Sequence, residues 1–127
     1  MRYGLGRARG RSRRRQTDGD AEDALATSLT LAGGALATFV RQHPYIPGRR
    51  FAADFAWPDQ RLLLEVQGGV FTGAAHGSIG GILADNQRLN LATLHGWRLL
   101  RIVPNDTGDD AIAETLDLIE RVLTGTP

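Results

Sequence analysis

Apolar positions at helical spacing mark the first element of the chain. Leu25, Leu29 and Ala32 fall on one stripe, and a Gly-Gly pair ends the pattern directly after it. Thr17 and Asp20 stand in capping-box spacing ahead of this stripe. The pattern therefore predicts a first helix that begins near Thr17 and ends before the two glycines.

Three short apolar runs follow the first helix and predict three strands, at residues 36–43, 51–57 and 61–67. The turn residues of the segment PYIPGRR separate the first run from the second. Pro58 and Asp59 separate the second run from the third, and both residue types suit the central positions of a tight turn. We therefore expect the second and third strands to form a hairpin.

The second half of the chain opens with a glycine-dense loop and then returns to regular patterns. ILADNQRLNLATLHG predicts an amphipathic helix that ends at Gly96, and WRLLRIVP predicts a buried strand that ends at Pro104. Thr107 and Asp110 are spaced to cap a last helix. The predicted order of elements is αβββαβα.

Size and composition limit the possible classes of protein. The chain has 127 residues, of which 42% are hydrophobic, which suits one domain with its own core but not two. No apolar run approaches membrane-spanning length, so we expect a soluble protein without a membrane partner. The chain contains no cysteine, which excludes disulfides, thiolate zinc sites and a cysteine nucleophile.

Charge is distributed unevenly along the chain. Residues 1–15 contain seven Arg and no acid, whereas residues 16–127 contain eight Arg against fourteen Asp and Glu. A Gly-punctuated basic segment without an apolar period predicts a disordered arm that contacts phosphates. A solubilising or targeting tail remains the alternative. We therefore divide the chain into an arm at residues 1–16 and one folded domain at residues 17–127.

Two carboxylates and an amide lie inside the predicted hairpin, where a core would be expected. With a two-residue turn, Asp54 faces Leu63, and Glu65 lies diagonally across on the same side of the sheet as Asp54 and Gln67. A four-residue connection would place the two acids directly opposite each other. A three-residue connection without a bulge would send them to opposite sides.

Two acids that converge on an apolar sheet repel each other unless a cation lies between them. Oxygen ligands without cysteine or paired histidine favour a hard ion such as Mg²⁺ or Mn²⁺. The alternative is a solvated pair, or ion pairs with Arg49, Arg50 or Arg61, and the spacing does not decide between these readings. Glu22 adds a third acid, since it precedes Leu25 and Leu29 by helical spacing and points toward the core.

This combination resembles the PD-(D/E)XK nuclease superfamily. The order of a helix with Glu, a strand with Asp and a strand with Glu-X-Gln, followed by helix, strand and helix, carries the resemblance. The segments RQHPYIPGRRFAADFAWPDQRLLLEVQGG and LATLHGWRLLRI, with the histidine of GAAHGS, are similar to small phage and bacterial endonucleases. Such enzymes are akin to archaeal-type Holliday junction resolvases and very-short-patch-repair-like nucleases. The likeness covers residues 17 to 104 and implies a restriction-endonuclease-like α/β core, with a mixed central sheet flanked by helices.

The resemblance also implies roles for individual residues. Asp54, Glu65 and the backbone carbonyl of Val66 would hold Mg²⁺ or Mn²⁺, and Glu22 would orient a water or a second ion. Gln67 departs from the family pattern, which usually has Lys there, and it can hydrogen-bond the attacking water but brings no charge. Arg88 could replace the missing cation, although an i,i+3 salt bridge with Asp85 is the more ordinary role for it.

A DNA endonuclease is the activity that the resemblance implies. We expect metal-dependent hydrolysis of branched DNA, such as a four-way Holliday junction, to 5′-phosphate ends by a cytoplasmic homodimer in a bacterial or phage-infected cell. A mismatch- or restriction-like nickase acting on duplex DNA is one alternative. A non-catalytic nucleic-acid-binding module on a decayed nuclease fold is the other, and Gln67 makes it plausible.

Further residues are candidates for contact with nucleic acid. They are Arg13, Arg14 and Arg15 in the arm, Arg49 and Arg50 beside the hairpin, His76 and Ser78 in the glycine-dense loop, and Arg88. The loop lacks the Lys-Ser/Thr ending of a P-loop, which argues against nucleotide-triphosphate binding. His43 and His95 have no partner at metal-ligand spacing.

Overall fold

The computed structural model describes residues 7–67, 79–103 and 109–127, without the side chains of residues 7–18 and Asp109. Its elements are α1 (Arg7–Ala32), β1 (Val40–Pro44), β2 (Ala52–Trp57), β3 (Leu62–Val66), α2 (Ile79–Leu94), β4 (Arg98–Ile102) and α3 (Asp109–Thr124), with 3₁₀ turns at Gly34–Thr38 and Pro58–Gln60. This α/β order of helices and strands agrees with the predicted order. None of the helices in these ranges is long and apolar enough to cross a membrane.

The strands form one four-stranded mixed sheet in the order β1-β2-β3-β4. β1 and β2 pair antiparallel, as do β2 and β3, and β4 lies parallel to β3. The parallel connection between β3 and β4 includes α2, as a crossover between parallel strands requires. The expected mixed sheet is therefore confirmed.

One face of the sheet packs against α1 and α3, and we call it the α1–α3 face. Its buried residues are all apolar: Leu25, Leu29, Leu36, Phe55, Trp57, Leu62, Leu64 and Ile119. The predicted stripe of the first helix thus supplies core residues, and Trp57 Nε1 donates to the carbonyl of Leu36 at 3.3 Å. This face contains most of the large side chains that are fully buried in the described core.

The opposite face carries α2, and we call it the α2 face. Its buried residues are Tyr45, Ile46, Ala53, Ala56, Leu63, Ala92 and Trp97. Small alanines leave room for Tyr45 and Trp97, whose rings lie edge-on with centroids 6.4 Å apart. Trp97 Nε1 donates to the carbonyl of Tyr45 at 3.1 Å, which fixes the turn after β1 against the start of β4.

The structure corrects three predicted boundaries. α1 begins at Arg7 instead of Thr17, so the backbone of residues 7–16, assigned to the arm, continues the helix. Arg is a good helix former, and a capping box at Thr17 favours a helix start without requiring one. The first strand begins at Val40, because the left-handed glycines at positions 33 and 34 lead the chain into a 3₁₀ turn first. α2 begins at Ile79, three residues before the predicted start.

Candidate functional site

The hairpin between β2 and β3 sets the positions of the two central acids. Four residues, Pro58 to Arg61, connect the strands, and Arg61 adopts a left-handed conformation with φ 54°. The expected two-residue turn is therefore wrong, because a 3₁₀ turn takes up Gln60 and Arg61 as well. The pairing of Phe55 with Leu64 is the last one between β2 and β3, and Leu63 pairs with Ala56 instead of Asp54.

Asp54 lies where the regular pairing of β2 is interrupted on both sides. On one side, the Val66 amide donates to Asp54 Oδ2 at 2.8 Å, so a side chain takes the place of a ladder acceptor. On the other side, Gln42 Nε2 lies 3.4 Å from Asp54 Oδ1, and Gln42 has a φ of 48° that few non-glycine residues adopt. Backbone strain of this kind is commonly retained at functional sites.

Glu65 lies in a network of charges on the α2 face. It is 8% exposed and is the one charged residue classed as buried within the described parts of the chain. Arg88 of α2 forms a bidentate pair with it, in which Nη2 lies 3.0 Å from Oε1 and Nη1 contacts Oε2. Arg101 of β4 lies opposite Glu65 in the parallel register and places Nε 3.4 Å from Oε1.

Asp85 closes this network from the first half of α2. Its carboxylate accepts from Arg88 at 2.8 Å and from both terminal nitrogens of Arg101 at 2.9 and 3.1 Å. The Tyr45 hydroxyl also accepts from Arg88, at 2.9 Å. We call these five residues the arginine network: Tyr45, Glu65, Asp85, Arg88 and Arg101. Its two carboxylates balance its two guanidinium groups.

The arginine network shifts the pKa values of its members. Hydrogen bonds from Arg101 lower the pKa of Asp85 to about 2, against the opposing effect of burial. Burial by itself lowers the pKa of Arg88, but the hydrogen bonds and charges of Glu65 and Asp85 outweigh it and raise the pKa. Burial raises the pKa of Tyr45, and the Arg88 hydrogen bond opposes that rise. Asp85 and Arg88 are thus held in their charged forms, with the neutral phenol of Tyr45 beside them.

Arg101 retains one unused donor in this network. Its Nε is the one buried side-chain polar atom without a hydrogen bond among the residues whose side chains are described, since its contact with Glu65 lacks hydrogen-bond geometry. A buried donor without an acceptor costs free energy. A ligand oxygen that accepted a hydrogen bond from Arg101 Nε would remove this cost.

Glu22 lies on the inward side of α1, as the sequence predicted, but its closest partner is a cation. Its Oε1 lies 3.4 Å from Arg41 Nη2, and its side chain is 19% exposed. Burial raises the pKa of Glu22, the negative charge of Asp54 raises it further, and Arg41 lowers it. Glu22 and Asp54 are therefore close enough to interact, whereas Glu65 is neutralised from the α2 face.

The remaining predicted site residues fall into three groups. Gln67 directly follows β3, donates its amide to the Ile102 carbonyl at 2.7 Å, and has a half-buried side chain that makes no hydrogen bond within the described ranges. Arg49 and Arg50 are exposed and form no ion pair there either. Arg13, Arg14 and Arg15 lie in α1 without described side chains, and His76 and Ser78 lie outside the described residues.

Sequence reasoning missed Tyr45, Asp85 and Arg101 as parts of the site. Arg88 does form the i,i+3 bridge with Asp85 that was expected, and it binds Glu65 at the same time. The signal for Arg101 was present, because an arginine in a short apolar strand needs a buried acid. Glu65 is that acid, and it meets Arg101 through the parallel pairing of β3 with β4. This pairing is a tertiary feature that the local sequence pattern does not show.

The resemblance implies a divalent metal ion, which needs several oxygen ligands that converge on one point. Among the residues that the structure describes, no group of three His, Asp or Glu side chains is arranged to hold a metal ion. The expected cluster of Glu22, Asp54 and Glu65 is therefore not assembled there. Mg²⁺ is usually held by one or two carboxylates together with waters and substrate phosphates, and Asp54 and Glu65 are the kind of ligand that this simpler donor set uses.

Comparisons with protein-family models, with curated proteins and with solved structures found no significant match.

Proposed function

We propose that this chain is a metal-dependent DNA endonuclease that cleaves branched DNA, such as four-way junctions, as a homodimer. The observations in its favour are the Asp54 carboxylate, which accepts from the amide of Val66 directly after Glu65, and the two arginines that pair with Glu65. Carboxylates that can hold a hard cation then lie next to guanidinium groups that can bind phosphate.

Asp54, Glu65 and the Val66 carbonyl would hold Mg²⁺ or Mn²⁺. A divalent cation bound there would supply activation of water and charge neutralisation at the scissile phosphate. Asp54 is prepared for this role, because the Val66 amide and Gln42 orient its carboxylate without neutralising it. Glu65 would exchange its pairs with Arg88 and Arg101 for the cation, which frees two guanidinium groups next to the phosphate.

Chain residues outside the acid pair would complete the site. Arg88 and Arg101 would bind the non-bridging oxygens of the phosphate and stabilise the charge that develops there. Gln67 would orient the attacking water through its side-chain amide, which has no other hydrogen bond among the described residues. Glu22 would remain a positioning residue, since its charge acts on Asp54 from α1.

Affinity for DNA would come from the exposed arginines beside the hairpin and from the arginine-rich first fifteen residues. Arg49 and Arg50 are exposed beside the start of β2, and residues 1–15 add seven more arginines. Each phosphate contact releases counterions, so binding should weaken as salt increases, with a slope of about 0.9 per contact on duplex DNA. Removal of residues 1–15 should therefore reduce both the affinity and its salt dependence.

Asp54→Asn tests the proposal with the least disturbance of the fold. Asn retains an oxygen for the Val66 amide but removes the negative charge, so we expect intact DNA binding and loss of cleavage. Asp59→Asn is the matched control, because Asp59 is an exposed acid on the hairpin connection and should leave cleavage unchanged. Cleavage by Asp54→Asn at the wild-type rate would exclude the proposed site.

Substrate and metal are tested with a four-way junction and a matching duplex, each in Mg²⁺, Mn²⁺ or EDTA. Cleavage of the junction but not of the duplex would support the proposed cleavage of branched DNA. Cleavage of the duplex would favour the restriction-like nickase instead.

The non-catalytic module remains the second candidate, and the arginine network is the observation in its favour. Arg88 and Arg101 already neutralise Glu65, so a chain that binds DNA without cleaving it needs no further ion. DNA binding in EDTA, with no cleavage in either metal, would favour this candidate over the enzyme.

A further inference from the structure

A groove of about 450 Å³ lies on the outside of the turn that follows β1, apart from the two central acids. Arg49, Arg61, His95 and Trp97 line it together with apolar residues of the turn, such as Pro47. None of the described residues that line the groove is an acid. Its size is within the range of small-ligand pockets, and its charge suits an anion with a flat or apolar body.

Arg61 lines this groove and is held in place by several contacts. Its guanidinium carbon lies 4.0 Å from the centroid of the Trp97 ring, and Nη2 donates to the His95 carbonyl just after the end of α2. Its backbone is also fixed, because its amide donates to the Pro58 carbonyl and its carbonyl accepts from the Arg98 amide. A guanidinium plane held on an indole in this way is ready to stack against another flat ring.

Arg49 supplies a free cation at the rim of the same groove. It is exposed, and its side chain makes no hydrogen bond or ion pair in the described part of the chain. The turn holds its backbone, since the Arg49 amide donates to the Ile46 carbonyl at 3.1 Å. A phosphate at this rim would gain a charge-assisted hydrogen bond without breaking an existing one.

We propose that this groove binds one unpaired nucleotide of a nucleic-acid strand, with its base stacked on Arg61 and its phosphate on Arg49. The inference rests on the proposed function for the class of ligand, nucleic acid, but it requires no cleavage. Bases in a continuous duplex are stacked on each other and cannot enter such a groove. The groove would therefore favour substrates with unpaired or splayed bases, as at a branch point.

Binding of a fluorescently labelled oligothymidylate to the full-length chain in EDTA tests the proposal. Arg49→Ala should weaken binding about tenfold, which is the loss expected for one hydrogen bond to a charged group. Arg121→Ala is the matched control, because it removes the same charge from an exposed residue of α3 that does not line the groove, and it should weaken binding less than about twofold. Equal losses in both variants, or no loss in either, would overturn the proposal.

A second comparison tests the stacking contact. The wild-type chain should bind oligothymidylate more tightly than an abasic strand of the same length, by about fivefold or more. Arg61→Lys retains the charge but removes the guanidinium plane, so it should abolish this preference. Equal affinity of the wild type for both strands would overturn the stacked base. Displacement by thymidine 5′-monophosphate at an equal nucleotide concentration would overturn the assignment to a strand.

These measurements separate the inference from the proposed endonuclease. Binding in EDTA that depends on Arg49 and Arg61, without cleavage in Mg²⁺ or Mn²⁺, would support the groove and contradict the enzyme. Cleavage that requires Asp54, with no difference in binding between Arg49→Ala and Arg121→Ala, would support the enzyme and contradict the groove.

Discussion

The two faces of the sheet bury different kinds of side chain. The α1–α3 face buries apolar side chains of α1, β2, β3 and α3 and contains no buried charge among its described residues. The α2 face buries small and aromatic residues and adds the arginine network at the end of β3. Apolar packing stabilises a fold at low cost, whereas a buried ion pair offsets desolvation only when its hydrogen bonds are complete. The difference indicates that the first face stabilises the fold, whereas the second face contains the charged residues of the proposed site.

The largest expected effect comes from the α1–α3 face. Leu29→Ala should lower the free energy of unfolding by about 3–4 kcal/mol, because Leu29 is 0% exposed and its loss leaves a cavity. Leu31→Ala makes the same chemical change at a residue that is 81% exposed, so it should change stability by less than about 0.5 kcal/mol. Urea denaturation measures both variants. Similar values for the two would contradict the packing of α1 on the sheet.

Removal of one charge from the α2 face, at nearly constant side-chain volume, should lower the stability of the fold. Arg88→Met should cost about 2–3 kcal/mol, because Glu65 keeps only Arg101 and the Tyr45 hydroxyl loses its donor. Arg50→Met removes an exposed arginine without a partner in the described ranges and should be neutral within about 0.5 kcal/mol. An Arg88→Met protein as stable as the wild type would show that the network contributes no net stability.

Acid titration should distinguish the two faces as well. The pKa of Asp85 is lowered to about 2 from 3.8, so its contribution to stability is present above pH 3.8 and is lost as the pH falls through about 2. Asp85→Asn should therefore cost about 1–2 kcal/mol at pH 7, discounted for partial exposure, and progressively less below pH 3.8. Denaturation across this pH range checks the expectation, and a difference that does not depend on pH would contradict it.

The smallest expected effect lies at Glu22 and has the opposite sign. The pKa of Glu22 is raised above 4.5, so the folded chain holds this proton more tightly than the unfolded chain, and stability falls as the pH increases through that window. Glu22→Gln should therefore be slightly more stable than the wild type near pH 7 and no more stable at pH 4. Melting temperatures at the two pH values measure this, and a destabilised variant at neutral pH would show that the Arg41 pair dominates.

Much of the fold could be predicted from sequence, because it depends on local patterns. The stripe of Leu25 and Leu29 and the stop signals at Gly33 and Gly96 predicted where α1 and α2 end. The hairpin was also predicted, but its turn was not, because Arg61 adopts a left-handed conformation that its residue type disfavours. With this longer connection, Leu63 pairs with Ala56 instead of Asp54.

The candidate site was less predictable, because its contacts join distant segments. Arg88 and Glu65 are 23 residues apart, and the contact depends on how α2 packs over the sheet. Arg101 meets Glu65 through a parallel register that no short-range pattern specifies. The expected three-acid cluster is not assembled among the described residues, where Glu22 pairs with Arg41 of β1, a contact that also joins distant segments.

β1 also has a consequence for how copies of this chain can associate. It forms one edge of the sheet, and it carries a left-handed backbone at Gln42, an exposed Arg41 and a proline at its last residue. A kinked and charged edge that lacks one amide donor is a poor template for another strand. We therefore expect that any symmetric assembly does not extend the sheet through β1, and that this edge protects the chain against fibrillar aggregation.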